Sequence, residues 1–206
     1  IEDKLIKNST NLNDKYILSK LKNTLKTIDE SLGAYNLPSA CDAVTDLFEI
    51  LNNWYIRRNR ARFWKKEKDQ DKQEAYDTIY TVLYNMVIAA SPLLPIITEE
   101  IFLGLSGNKA SVHLCNYPSY ENLLEDKDLV SETDKIREIC TAALSIRNAC
   151  NVRIRQPLRC VTLVGTNLSQ LVKYFELIKD EVNVKDVKIV NDVEKYAKYN
   201  LKIHFK

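Results

Sequence analysis

The chain has 206 residues, of which 45% are hydrophobic and 28% are charged, and its formal net charge is only +2. That much apolar material can bury one good core, or a principal domain with a smaller appendage, and argues against a disordered chain. No apolar run approaches the roughly 20 residues that span a bilayer, so we expect a soluble, cytoplasmic protein without a membrane partner.

Two amphipathic helices are predicted in the first part of the chain. Apolar residues recur every three or four positions at Leu18, Leu21, Leu25, Ile28 and Leu32, which predicts a helix that Gly33 can end. A second helix is expected to begin at Pro38 and Ser39 and to run on into a group of arginines. Its apolar stripe comprises Ala40, Val44, Leu47, Leu51, and Trp54 or Tyr55.

Two further helices follow. The third is predicted from the apolar positions Tyr76, Ile79, Tyr80, Leu83, Val87 and Ala90, and Pro92 and Pro95 must break it before a short continuation to Leu105. Residues 112–120 are expected to be extended and to cross the end of the bundle. The fourth long helix is expected to open at Ser131 and to carry one apolar face made of Ile136, Ile139, Ala143, Ile146 and Cys150.

The pattern changes after residue 150. Residues 160–165, 186–190 and 201–205 read as strands, and residues 168–182 read as an amphipathic helix. We therefore predict a mainly α protein: a helix bundle over residues 1–150, followed by a small α+β module over residues 151–206. Because the chain begins at Ile1 and its only methionine is Met86, we expect it to be a truncated piece of a longer protein.

The positive charge is concentrated in residues 54–68, here called the basic segment. It holds seven lysines and arginines against one acid, Glu67, which gives a local charge of +6, and four aromatic residues are interleaved with them or adjoin them. Cations displace counterions from a phosphate backbone, and rings or guanidinium planes stack on exposed bases. The pattern favours nucleic-acid binding. The alternative is a solvated helix end, although capping gains only about 0.3–1 kcal/mol per cation.

Within the basic segment the candidate contacts are Arg57, Arg58, Arg60, Arg62, Trp64 and Lys65. Arg58 lies four residues after Trp54 and is expected to pack partly against the core, so Arg57, Arg60, Arg62 and Lys65 are preferred. Trp54 and Tyr55 are expected to be core residues, whereas for Trp64 core and surface remain open.

A second basic group contains Arg147, Arg153, Arg155 and Arg159. Arg153 and Arg155 are candidates for a secondary RNA surface, and the alternative is that the group holds the small module in place. No metal site is predicted, because His113 and Cys115 lack a second pair of ligands and the five cysteines contain no Cys-x-x-Cys pair.

The run Asn-Trp-Tyr-Ile-Arg-Arg-Asn-Arg-Ala-Arg-Phe-Trp at 53–64 resembles the anticodon-binding domain of class I isoleucyl-tRNA synthetases. The proline-broken run Ser-Pro-Leu-Leu-Pro-Ile-Ile-Thr-Glu-Glu at 91–100 is similar to a helix that the valyl, leucyl and methionyl enzymes share. Further likeness lies at residues 14–21, 111–118, 153–158 and 178–185, so the resemblance covers nearly the whole chain.

The resemblance implies an antiparallel helix bundle of the class I synthetase anticodon-binding type. It implies a parent isoleucine–tRNA ligase that uses ATP and magnesium, with isoleucine-accepting tRNA and the catalytic half of the parent chain as partners. The family's His-x-Gly-His and Lys-Met-Ser-Lys-Ser elements are missing from this sequence, so no catalytic residue and no cofactor are expected in it. The alternatives are the same domain of a valyl enzyme, or a helical protein-interaction module with a basic stripe.

Overall fold

The computed structural model describes residues 5–6, 9–107, 111–165 and 168–191. The chain divides into two compact units, residues 1–130 and residues 131–206. The fourth long helix, which we predicted as part of the bundle, falls mostly in the second unit. The predicted domain boundary at residue 150 stays a prediction. Each unit is described by itself.

The first unit is a helix bundle. Its helices are α1 (Leu12–Gly33), α2 (Leu37–Ile50), α3 (Arg60–Trp64), α4 (Gln70–Ala90) and α5 (Pro95–Ser106). Helix α1 packs against α2 and α4, and α4 packs against α5. The centre of the core is α1, whose predicted stripe from Leu18 to Ile28 is fully buried. The mainly α fold class is confirmed.

Local sequence explains most helix ends. Asn11 accepts a hydrogen bond from the Asn13 backbone N–H at the start of α1, and Gly107 ends α5 in the left-handed conformation with φ of 70°. Helix α2 begins earlier than predicted, because Asn36 rather than Ser39 is its N-cap and accepts from the Ser39 backbone N–H.

The apolar face predicted for α4 was partly wrong. Tyr76 is exposed, and Ile79, Tyr80 and Leu83 are only half-buried, although Val87 and Ala90 are buried. The larger residues predicted for this face lie along its edge. The fully buried face is made of Ala75, Thr78, Val82, Met86 and Ala89. Helix α4 packs against both α1 and α5, so both neighbours determine which of its residues are buried.

Residues 112–120 were predicted to be extended, and this was wrong only for Val112–Leu114, which form a short 3-10 turn. Residues 116–120 have no regular secondary structure, and the Tyr117 hydroxyl donates to the Leu25 carbonyl oxygen of α1 at 2.7 Å. Val112 is buried in a small cluster with Val87, Ile88 and Phe102. In this way the turn closes the α4–α5 end of the first unit.

The second unit begins within α6 (Lys127–Ala149), which starts one turn before the predicted Ser131. Ile136 is buried as predicted, and Ile139 and Ala143 are half-buried. Ile146 and Cys150 are exposed, so the predicted face was wrong at its carboxyl end. Arg147 is buried there instead.

The α+β part of this unit is confirmed. Strands β1 (Val161–Val164) and β2 (Val187–Val190) pair in parallel, with Val161 opposite Val187. Parallel strands need a crossover, which is made by a 3-10 turn (Ser169–Tyr174) and helix α7 (Phe175–Val182). The third strand predicted at 201–205 lies outside the described residues. Among the described residues, no helix is both long and apolar enough to cross a membrane.

Candidate nucleic-acid interface

The basic segment does not lie on a simple continuation of α2. Helix α2 passes into a π-helix, Leu51–Ile56, and after a turn at Asn59 the chain forms the short helix α3. Trp54 and Tyr55 lie in the π-helix and are 5% and 0% exposed, so both are core residues as predicted. These two rings anchor the chain immediately before the first arginine.

Arg62 is engaged inside the first unit. Its guanidinium donates to both carboxylate oxygens of Asp14, at 2.8 and 3.0 Å, in a bidentate pair, and its Nη2 lies 2.8 Å from a carboxylate oxygen of Asp71. Asp14 is fully buried and the Arg62 side chain is only 13% exposed. Burial acts to lower the pKa of Arg62, but the hydrogen bonds to Asp14 and Asp71 outweigh it and raise the pKa. The preference for Arg62 as a phosphate contact is therefore revised: it is a structural residue.

Three further residues belong to the network around Asp14, and one of them is Ser9, whose hydroxyl donates to Asp14 Oδ2 at 3.0 Å. The Tyr55 hydroxyl donates to Asp14 at 2.8 Å, and burial together with the nearby carboxylate raises the pKa of Tyr55. Asn59 is 1% exposed; its side-chain amide donates to the Tyr55 carbonyl oxygen at 2.8 Å and its Oδ1 accepts from Arg62 at 3.0 Å. Asn59 is thus hydrogen-bonded to residues before and after it in the chain, and these bonds hold the turn. That turn sets the direction of the exposed arginines on either side of it.

Arg57, Arg60 and Trp64 face solvent. Arg57 and Arg60 are exposed, and the Arg57 Nε donates to the Asn53 carbonyl oxygen at 2.9 Å. The Arg60 guanidinium carbon lies 5.8 Å from the centre of the Trp64 ring, a cation–π distance. Trp64 is 78% exposed. The structure therefore decides the open question about Trp64: it is a surface residue.

Arg58 and Lys65 are intermediate cases. Arg58 is half-buried with its guanidinium carbon 5.3 Å from the Trp54 ring centre, as expected for a residue packed partly on the core. Lys65 forms an ion pair with Asp69, and that hydrogen bond raises the pKa of Lys65 and lowers the pKa of Asp69. Both charges are on the surface, where such a pair opens readily.

The second basic group also divides into buried and exposed members. Arg153 and Arg155 are exposed. Arg147 is 5% exposed, and its Nη2 donates to the carbonyl oxygens of Arg153, at 2.7 Å, Ile154 and Gln156. Arg147 therefore shapes the loop that presents the other two arginines. Among the described residues no group of three or more His, Cys, Asp or Glu side chains could hold a metal ion.

Residues 14–162 match the family model for the anticodon-binding domain of tRNA ligases. The chain belongs to this family. The match begins at Asp14, in the first turn of α1, contains the basic segment and the rest of the helix bundle, and reaches β1 in the second unit.

The curated proteins that this anticodon-binding domain resembles include isoleucine–tRNA ligases. An isoleucine–tRNA ligase of Rickettsia typhi is 44% identical over 96% of this chain and 20% of the relative. One from Wolbachia pipientis is 43% identical over 93% of this chain and 20% of the relative. The chain thus spans about a fifth of the length of the curated relatives it matches. These relatives do not favour a valyl enzyme or a protein-interaction module.

Sequence reasoning missed the structural pairing of Arg62 in the anticodon-binding domain, although a signal was present. Asp14 lies four residues before Leu18, so it extends the buried stripe of α1 by one turn. A carboxylate at such a position must find a cation or donors, because burying an unpaired charge is costly. That rule predicts a partner for Asp14, but not that the partner would be Arg62.

Proposed function

We propose that this chain is the tRNA-binding part of an isoleucine–tRNA ligase and holds the anticodon stem-loop of isoleucine-accepting tRNA. The observation that carries the proposal is that the family match over residues 14–162 contains the entire basic segment. The supporting geometry is a set of exposed cations and one exposed ring, held on a turn that the Asp14–Arg62 pair fixes.

The proposed contacts divide by chemistry. Arg57 and Arg60 bind backbone phosphates, which positions the RNA without reading its sequence. Arg58 and Lys65 contribute positive charge at the edge of that surface, and Trp64 offers a ring to an unpaired base. Arg62 acts on the RNA only through the turn that it stabilises. Arg153 and Arg155 remain candidates for a secondary tRNA surface in the second unit.

The rest of the activity is assigned to the parent protein. We propose that it attaches isoleucine to tRNA in the cytoplasm, using ATP and magnesium at a site outside these 206 residues, and that its catalytic half is the partner of this domain. Holding the anticodon arm would orient the distant acceptor end for that chemistry.

Binding of the 206-residue chain to labelled isoleucine, valine and methionine tRNAs, measured by fluorescence anisotropy over a salt series, tests the proposal. We expect tighter binding to the isoleucine tRNA and an affinity that falls steeply with salt, as release of counterions from several phosphates requires. Equal affinity for all three tRNAs would contradict the isoleucine assignment. No binding even at low salt would contradict the tRNA-binding role of the chain.

A further inference from the structure

The two ends of the helix bundle in the first unit differ in chemistry. Arg62 pairs with Asp14 in the first turn of α1 and with Asp71 in the first turn of α4, so both helices begin beside the basic segment. These two helices pack against each other. The turns that follow them therefore lie at the opposite end of the bundle, about 30 Å away for helices of 22 and 21 residues. Those two turns, residues 34–37 and 91–97, are here called the apolar end.

Large apolar side chains are exposed at the apolar end. In the turn between α1 and α2, Tyr35 is 92% exposed and Leu37 is about half exposed. Where α5 begins, Ile96 is 82% exposed, and Leu94 and Ile97 are about half exposed. The last three residues line one shallow groove. Single exposed apolar residues are ordinary, but several at one end of a domain mark an interaction surface.

The start of α5 is unusual for a helix that faces water. Its first turn, opened by Pro95, carries Ile96 and Ile97 and no acid, although carboxylates stabilise that position in an exposed helix. The turn before it is well ordered by hydrogen bonds, because the Leu94 backbone N–H donates to the Ala90 carbonyl oxygen at 2.9 Å. The two isoleucines are therefore presented in a preformed arrangement, as a docking surface requires.

The turn between α1 and α2 holds Tyr35 in a conformation that bulky residues rarely adopt. Its φ is 57°, in the left-handed region that favours glycine. The Asn36 backbone N–H donates to the Ser31 carbonyl oxygen at 2.8 Å, which closes the turn and keeps Tyr35 in this conformation. A strained backbone that exposes an aromatic ring points to a binding role for that ring.

The charge of the apolar end disfavours RNA. Residues 27–44 and 86–107, which contain the two turns and the adjoining parts of the helices, include no lysine or arginine. Their five charged residues are all acids: Asp29, Glu30, Asp42, Glu99 and Glu100. An RNA backbone is repelled by such a surface, whereas the basic segment attracts it. The complementary surface is a protein face that is apolar at its centre and basic at its rim.

The length of the relatives indicates where such a face can come from. The curated isoleucine–tRNA ligases are about five times as long as this chain, because the chain spans 20% of them. The parent protein proposed above therefore has a large surface outside these 206 residues. Domains of one polypeptide contact each other through apolar patches with polar rims.

We propose that the apolar end is the surface on which another domain of the parent polypeptide docks, with Ile96 and Ile97 at its centre and Tyr35 as a second contact. The proposal rests on the proposed function. It adds to that function the location of the contact between domains, at the end of the bundle opposite to the tRNA-binding basic segment.

Hydrogen exchange followed by mass spectrometry tests the docking, on the full-length parent protein and on the 206-residue chain, both without tRNA. Backbone N–H groups in the first turn of a helix have no partner within the helix, so they exchange fast unless something covers them. We expect residues 93–101 to exchange at least about tenfold more slowly in the parent, and residues 57–64 to exchange alike in both proteins. Equal rates over residues 93–101 would overturn the proposal without any variant.

A double variant tests which side chains make the contact. Ile96→Glu/Ile97→Glu places two carboxylates in a first helical turn, where they are favourable, so the 206-residue variant should unfold like the wild type. In the parent, the same change should return the exchange of residues 93–101 to the rate in the 206-residue chain. Leu12→Glu is the matched control, because Leu12 is 60% exposed in the first turn of α1, at the other end of the bundle. It should leave the slow exchange unchanged, and slow exchange that also survives the double variant would overturn the proposal.

The remaining outcomes distinguish this proposal from the proposed function. If the double variant folds normally but binds tRNA about tenfold more weakly, the apolar end belongs to the RNA surface, so the docking proposal is wrong and the proposed function stands. If the 206-residue chain sediments as a dimer that the double variant abolishes, the surface binds a second copy and the docking proposal is wrong. If residues 93–101 are protected in the parent but neither protein binds tRNA, the docking surface stands and the proposed function is wrong.

Discussion

Each unit of the molecule contains one arginine that is largely enclosed and internally hydrogen-bonded beside others that are exposed, and the two are stabilised differently. Arg62, in the first unit, faces the carboxylates of Asp14 and Asp71. Arg147, in the second unit, donates to backbone carbonyl oxygens, and its Nε and Nη1 are buried without a hydrogen-bond partner among the described residues. In both units the buried arginine shapes the segment that carries the exposed ones. A count of positive residues therefore overstates the charge offered to a ligand.

The largest expected effect on stability comes from replacing Arg62, the arginine paired with carboxylates. Arg62→Ala should lower the free energy of unfolding by about 3 kcal/mol, because it leaves the Asp14 charge buried without its cation. Arg62→Lys should recover little, since an ammonium cannot replace a bidentate guanidinium. Urea unfolding followed by circular dichroism measures the loss. Arg60→Ala is the matched exposed control and should change stability by less than about 0.5 kcal/mol; similar losses for both variants would contradict the comparison.

Alkaline pH should lower the stability of the fold, in part through Tyr55. The pKa of Tyr55 is raised in the folded state, so above about pH 10 the unfolded chain loses a proton that the folded chain keeps, and stability falls as the pH rises. The contribution of Tyr55 to the free energy of unfolding should be about 1 kcal/mol between pH 10 and 11 and should approach about 1.4 kcal/mol per pH unit above that. Tyr55→Phe should show a correspondingly shallower decline between pH 10 and 11 in urea unfolding. An unchanged slope would show that Tyr55 does not resist ionisation in the fold.

Replacing Arg147, the arginine paired with backbone carbonyl groups, should lower the free energy of unfolding by less. Arg147→Met loses the hydrogen bonds from Nη2 but also relieves the burial of two unpartnered nitrogens, so we expect a decrease of about 1 kcal/mol or less. The same change at position 62 should cost several times more, because Asp14 remains behind. Thermal unfolding of the two methionine variants under one condition makes the comparison, and equal costs would contradict it.

The smallest effect on stability, with the clearest effect on binding, is expected for the exposed arginines. The double variant Arg57→Ala/Arg60→Ala should keep the wild-type unfolding midpoint and lower the salt slope of tRNA binding by up to about two. The corresponding Arg153→Ala/Arg155→Ala variant asks whether the second unit also binds tRNA. A slope that stays at the wild-type value in the first variant would remove the basic segment from the interface.

Much of the fold was predictable because it depends on local pattern. The stripe from Leu18 to Ile28, the proline break before α5 and the change of periodicity after residue 150 all indicate elements that the structure contains. The faces of α4 and of the end of α6 were not predictable in the same way. Burial there depends on how closely helices approach and on which charged residue finds a partner, and Arg147 rather than Ile146 is buried as a result.

The residue types of the candidate site were predictable from the sequence, but which of them are exposed and which are buried was not. Interleaved cations and rings indicated a binding surface, and the core positions of Trp54 and Tyr55 followed from the stripe of α2. The exposure of Trp64 and the burial of Arg62 depend on the turn at Asn59, which Arg62 links to Asp14, a residue 48 positions before Arg62 in the chain. No local pattern within the basic segment contains that information.

The π-helix at Leu51–Ile56 gives the basic segment an unusual sensitivity to chain length. A π turn accommodates one more residue than an α turn over the same rise, so it acts as a built-in single-residue insertion. Deleting one residue there would let α2 continue as a regular helix and would rotate everything that follows by about 100°. The arginines would keep their number and spacing but point in new directions. The direction in which the arginines of the basic segment point therefore depends on the number of residues in the π-helix that precedes them.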